Sequence, residues 1–228
     1  MVEERPGRVG RRLAAILAAD VVGYSRLMHD DEETTHARLT ALLATTVEPA
    51  IAAHDGRVFK RTGDGFLAEF PSAVEAVRAA VNFQERVRKV SINDAEDRHL
   101  LFRVGINIGD VIAEPHDIFG DGVNIAARLE SICEPGGICV SASVHDHVRG
   151  RVDAKFIDIG EQNLKNISRP IRAYAIDTGH VRAEKADGAT TNSASAPHLS
   201  IIVLPFLNIG GDPGGRPVHE PAKRRFEK

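Results

Sequence analysis

The chain has 228 residues, of which 43% are hydrophobic and 27% charged, and its formal net charge is -3. That length holds one ordinary domain and a fragment of another, and the composition is that of a globular protein in water. The charge argues against a broad nucleic-acid-binding surface but leaves room for a local basic patch, and no apolar stretch is long enough to span a membrane.

Residues 1–10 are polar and carry Pro6, Gly7 and Gly10, which predicts a loose arm. Arg12 to Ala19 reads as a buried strand, and its apolar run stops abruptly at Asp20. Arg11 and Arg12 before that run mimic a signal peptide, but the run leads into Asp20-Val21-Val22-Gly23-Tyr24 without a polar spacer. Asp30 to His54 reads as one helix with acidic residues in its first turn and a stripe of Leu39, Leu42, Leu43, Val47, Ala50 and Ile51. Arg57 to Arg61 and Phe66 to Phe70 are hairpin arms around Gly63-Asp64-Gly65. Ser72 caps a second helix, whose apolar face includes Ala76, Val77, Ala80 and Val87, and Ser91 to His99 is a charged connection.

Leu101 to Ile108 and Asp110 to Glu114 read as a strand pair broken at Gly109. Gly122 to Cys133 is a short helix ended by Pro135-Gly136-Gly137. Ile138 to Ser141, Val152 to Ile159 and Ile171 to Asp177 are strands, with a short helix near Ser143 to Val148. The order strand, helix, hairpin, helix, strand predicts an α+β, ferredoxin-like antiparallel sheet with helices on one face. Residues 182–198, rich in Ala, Ser, Thr, Asp and Gly, read as a linker. Leu199 to Phe206 is an apolar strand that cannot bury itself. The predicted organisation is therefore an arm at 1–10, a domain at 11–178, a linker at 179–198, and at 199–228 either the start of a second domain or a disordered tail.

Chemistry gathers at three places. Asp64 is exposed by its hairpin turn, and Asp20 ends a strand beside it. Two such carboxylates suit a hard divalent cation, since Mg²⁺ takes one or two carboxylates plus phosphate oxygens. The third place is Asp117 to Leu129, where Asn124 and Arg128 stand four apart on one helix face. An amide and a guanidinium pointing the same way can hold a sugar and a phosphate. Taken singly, each residue has an ordinary structural reading as a turn residue, a cap or a solvated side chain. Cys133 and Cys139 make neither a disulfide framework nor a metal pattern and read as reduced core thiols of a cytosolic protein. The scattered histidines, His145 and His147 among them, do not suggest zinc.

Together the three stretches resemble the class III nucleotidyl cyclases, specifically bacterial adenylate cyclases, from about Arg12 to about Asp177. Ala19 to Ser25 looks like the first metal motif, Lys60 to Gly65 like the second metal hairpin, and Asp117 to Arg128 like the substrate and transition-state motif. The resemblance implies that Asp20 and Asp64, with the Val21 carbonyl, hold two Mg²⁺ or Mn²⁺ ions per active site. Backbone amides of Val22, Gly23, Tyr24 and Ser25 would meet phosphates. Asn124 would orient the ribose, and Arg128 would neutralise charge on the α-phosphoryl group. Lys60 and Asp117 would read adenine, and Lys165 would bind phosphate. The implied reaction is ATP to 3′,5′-cyclic AMP and pyrophosphate in a cytoplasmic homodimer, with no nucleic-acid or membrane partner. In that arrangement the metal aspartates and Lys60 come from one subunit, and Asp117, Asn124 and Arg128 from the other. The alternatives are a catalytically silent nucleotide-binding module and a guanylate cyclase. A diguanylate cyclase is disfavoured because Gly210-Gly211-Asp212-Pro213 stands in the tail without the required hairpin.

Overall fold

Strand β1, Arg11–Val21, occupies the middle of the sheet, and Ala14 to Ala19 are all buried. A strand with no polar alternation must be covered on both faces. The computed structural model describes residues 11–91, 98–114 and 117–177. The arm, the linker, the 199–228 segment and most of the charged connection expected from the sequence lie outside these residues.

After β1 come helices α1 (Tyr24–Asp30) and α2 (Glu32–Leu42), a π-helical turn (Leu43–Val47) and α3 (Glu48–Ala52). Strands β2 (Arg57–Arg61) and β3 (Gly65–Phe70) form the hairpin, followed by α4 (Ala73–Ser91). Then come β4 (Phe102–Ala113), β5 (Ile118–Phe119), α5 (Asp121–Ser131), β6 (Ile138–Ser141), α6 (Ala142–Val148), β7 (Phe156–Gln162) and β8 (Ile171–Ile176). The sheet order is β2-β3-β1-β4-β6-β8-β7, with β5 pairing β4.

The first four strands pair antiparallel in the ferredoxin-like order β2-β3-β1-β4. β6 then joins β4 in parallel, so the sheet is mixed rather than wholly antiparallel. Helices also cover both faces, not one. Ala15, Leu17 and Ala19 join the core under α2, α3 and α4, where Phe66, Phe83 and Phe102 meet edge to face at 6.0–6.1 Å. Ala14, Ile16 and Ala18 point the other way and meet Ala126 of α5.

Two expected elements are redrawn. The helix expected over 30–54 is broken at Asp31, which is extended and whose side chain caps α2 through the Thr34 N–H. Further on, Pro49 has no N–H for the helical ladder, and the turn before it is widened to π. β4 runs unbroken through Gly109, which serves contact with α5 instead of a turn. Gly105 serves the same contact: a Cβ there would lie 2.1 Å from the Ala126 carbonyl oxygen and 2.2 Å from the Glu130 nitrogen. The backbone of α5 thus rests on the backbone of β4.

Gly105→Val should therefore push α5 away. Overpacking of this kind costs about 1–3 kcal/mol and should lower the melting temperature by roughly 3–10 °C. An unchanged melting temperature in calorimetry would contradict this close contact.

Candidate active site

Asp20 lies at the end of β1, opposite Gly65 of β3 and Arg103 of β4. The hairpin turn is pressed onto this strand end. The Val21 N–H donates to the Asp64 carbonyl at 3.0 Å, and a Cβ on Gly65 would stand 2.2 Å from the Ala19 oxygen. The Asp20 and Asp64 carboxylates are thereby brought within electrostatic reach of each other. Arg103 Nη2 donates to Asp20 Oδ2 at 2.7 Å, and Arg103 Nε lies 3.2 Å from Glu130 Oε1 of α5.

Burial pushes the Asp20 carboxyl above its usual range; Asp64 adds to the rise and the Arg103 hydrogen bond opposes it. Burial likewise pushes Glu130 up to about 7, with the charges of Asp20 and Asp64 adding and Arg103 opposing. Sequence reasoning missed Arg103 and Glu130. The available signal was a lone arginine within the apolar run from Leu101 to Ile108, on a strand the sheet buries.

Lys60 and Asp117 meet within one chain. Lys60 Nζ donates to Asp117 Oδ2 at 2.7 Å, and Asp117 Oδ1 accepts from the Ile118 N–H at 2.8 Å. The Lys60 hydrogen bond holds the Asp117 carboxyl below its usual range. Phe59 packs in the same cluster as Ile118, which brings β2 to the start of β5. This departs from the expected division, which drew Lys60 and Asp117 from different subunits: the two pair within one chain.

Asn124 is exposed on α5, and Arg128 Nε donates to the carbonyl of Lys165 at 3.1 Å. Arg128 and Glu130 are two residues apart, about 200° around a helix. Glu130 turns toward Arg103 and the Asp20 cluster. Asn124 and Arg128 therefore face away from the carboxylates of their own chain.

The segment from Val22 to Ser25 opens α1 at Gly23, whose φ is 66°. The Val22 N–H donates to the Leu101 carbonyl at 2.8 Å, so it is not free for a phosphate; Gly23, Tyr24 and Ser25 remain at the helix start. His145 stacks on Tyr174 with ring centroids 4.0 Å apart, and His147 bonds the Ser143 carbonyl. Cys133 and Cys139 are free and buried. Among the described residues, no group of three or more His, Cys, Asp or Glu is placed to hold a metal, and no helix is long and apolar enough to cross a membrane.

Residues 11–178 match the family described as "Adenylate and Guanylate cyclase catalytic domain", and the chain belongs to that family. A Rhizobium meliloti (strain 1021) protein named "Putative adenylate cyclase 3" is 47% identical over 206 residues, covering 90% of this chain and 35% of the relative. The chain spans about half or less of the first curated relatives it matches. The crystal structure of an adenylate/guanylate cyclase/hydrolase from Silicibacter pomeroyi is 47% identical, with a TM-score of 0.67 over 73% of this chain and 97% of that one. The P. aeruginosa adenylyl cyclase CyaB shares the fold at 24% identity and a TM-score of 0.65, over 73% of this chain and 94% of that one.

The raised Glu130 predicts a pH dependence of stability. The folded state binds this proton more tightly than the unfolded chain, whose carboxyl titrates near 4.5. The resulting stabilisation is full below about 4.5 and is lost as pH rises through about 7. The melting temperature should fall between these limits, and Glu130→Gln should flatten that slope. An equal slope in both proteins, by differential scanning fluorimetry, would place the titration elsewhere.

Proposed function

We propose that this domain is an adenylate cyclase, converting ATP to 3′,5′-cyclic AMP and pyrophosphate in a cytoplasmic homodimer whose two sites are shared between chains. The observation that carries the choice of ATP is the Lys60–Asp117 pair, with Nζ and Oδ2 2.7 Å apart. It sets a fixed donor beside a fixed acceptor. Adenine offers a ring-nitrogen acceptor and an amino donor, whereas guanine presents a carbonyl and a ring N–H in the reverse pattern. A site built this way leaves polar groups unpaired with the wrong base.

The carboxylates fit divalent cations. Asp20 and Asp64 are hard oxygen donors held close enough to repel, and Arg103 already lies against Asp20 as a positive charge. Asp20, Asp64 and the Val21 carbonyl would hold two Mg²⁺ or Mn²⁺ ions. When bound, these supply Lewis acidity at the ribose 3′-hydroxyl and the triphosphate for an in-line displacement.

The chain's own residues do the rest. Asn124 holds the ribose so that its 3′-oxygen faces the α-phosphorus. Arg128 neutralises charge developing on the α-phosphoryl oxygens. Lys165, whose carbonyl already accepts from Arg128, holds phosphate from the same side, together with the amides of Gly23, Tyr24 and Ser25 at the start of α1. Asn124 and Arg128 face away from their own Asp20 cluster, which supports a site completed by a second copy. A guanylate cyclase or a silent nucleotide-binding module is the competing reading; the first leaves the Lys60–Asp117 pair without its matching base, and the second leaves the full set of acidic and basic residues without a task.

Purified protein incubated with Mn²⁺ and either nucleotide should make cyclic AMP from ATP far faster than cyclic GMP from GTP. Equal efficiency on the two would overturn the base assignment. Asp64→Asn should keep the fold and lose more activity than the roughly 10–100-fold that an outer-shell lesion costs. Wild-type turnover in that variant would overturn the metal assignment.

A further inference from the structure

Two buried polar atoms face each other as an ion pair beside the Asp20 carboxylate, without a hydrogen bond between them. Arg103 Nε and Glu130 Oε1 are 3.2 Å apart, and neither has a hydrogen-bond partner among the described residues. At its other end the same guanidinium donates to Asp20 at 2.7 Å. Buried polar atoms are ordinarily paired, so a facing donor and acceptor left unaligned call for an explanation.

We propose that Glu130 is a positioning residue for metal binding: it is the acceptor that receives Arg103 when Asp20 releases the arginine to coordinate a divalent cation. The inference rests on the reading of Asp20 and Asp64 as metal ligands. Arg103 cannot shed its charge by losing a proton. Its side chain is only 29% exposed, so on leaving Asp20 it does not pass freely into water. Glu130, with its side chain 13% exposed, is a second carboxylate already against the guanidinium. A small turn of the arginine aligns Nε with Oε1 and replaces the bond lost at Asp20. Without the Glu130 charge, Arg103 keeps Asp20 as its acidic partner, and a cation must strip it away uncompensated. Glu130 shares α5 with Asn124 and Arg128, so this exchange occurs on the helix that carries the transition-state residues.

The test is Mn²⁺ affinity without nucleotide, read by the paramagnetic resonance of free Mn²⁺ at about pH 8, where the raised Glu130 is ionised. Four proteins are compared: wild type, Glu130→Gln, Arg103→Met and the double variant. Glu130→Gln should weaken Mn²⁺ binding about tenfold, the scale of one charge-assisted hydrogen bond. In the Arg103→Met background the same change should alter affinity less than about threefold, because no arginine remains to be received. An equal loss in both backgrounds would make Glu130 merely a nearby negative charge and overturn the proposal, as would no loss at all. If Glu130→Gln does not fold, Glu130→Asp, which keeps the acceptor, should hold affinity within about threefold of wild type, and a tenfold loss there would overturn the proposal. Asp20→Asn separates this inference from the reading beneath it. Mn²⁺ binding unaffected by Asp20→Asn overturns the metal reading and the inference together. Binding that needs Asp20 but is indifferent to Glu130 overturns the inference alone.

Discussion

Two carboxylates held against each other at the end of a buried strand repel, and the site is arranged around that repulsion. The register of β1 with β3 sets Asp20 opposite Gly65, and the Val21–Asp64 backbone bond fixes the turn beside it. Tighter proton binding by Asp20 is one response to the repulsion, and a neighbouring positive charge is another. In this chain it comes from Arg103, delivered by the register of β1 with β4. A divalent cation is the other species able to satisfy such a pair, and it concentrates more charge in less space.

Helix α5 has two roles because it has two sides. Its inner side rests on Gly105 and Gly109 of β4 and carries Glu130 to Arg103 beside the Asp20 carboxylate. Its outer side carries Asn124 and Arg128, the latter tied to the Lys165 carbonyl. A helix seated so closely on a strand cannot rotate to bring both sides to one ligand. The proposed catalytic residues are thus split by geometry into the carboxylates at the end of β1 and the β2–β3 turn and the Asn124–Arg128 group on the outer side of α5.

Local patterns revealed most of the elements. Every strand of four or more residues had an apolar or hairpin signature, and Ser72 does cap α4 through the Val74 N–H. What escaped were features set by tertiary contact. Gly109 looks like a breaker in sequence but provides room for α5. The uninterrupted apolar run of β1 already implied cover on both faces, yet the element order alone suggested one. Ordered motifs pointed to Asp20, Asp64, Lys60, Asp117, Asn124 and Arg128. Their pairing across 57 residues, as between Lys60 and Asp117, depends on strand order and cannot be read from spacing. Arg103 and Glu130 carry no motif, since each acquires its role only through the other and through Asp20.

The central claim is that one chain's carboxylates work with another chain's Lys60, Asp117, Asn124 and Arg128. The most direct measurement is ATP cyclisation by co-expressed Asp20→Ala and Arg128→Ala chains bearing different affinity tags, each inactive alone. In a mixed dimer one site collects both lesions, while the other joins intact carboxylates from the Arg128→Ala chain to intact nucleotide-orienting residues from the Asp20→Ala chain. With free pairing about half the dimers are mixed, so roughly a quarter of wild-type activity should return under two-fold symmetry. No recovery from dimers shown by both tags to be mixed would contradict the account and place the whole reaction within one chain.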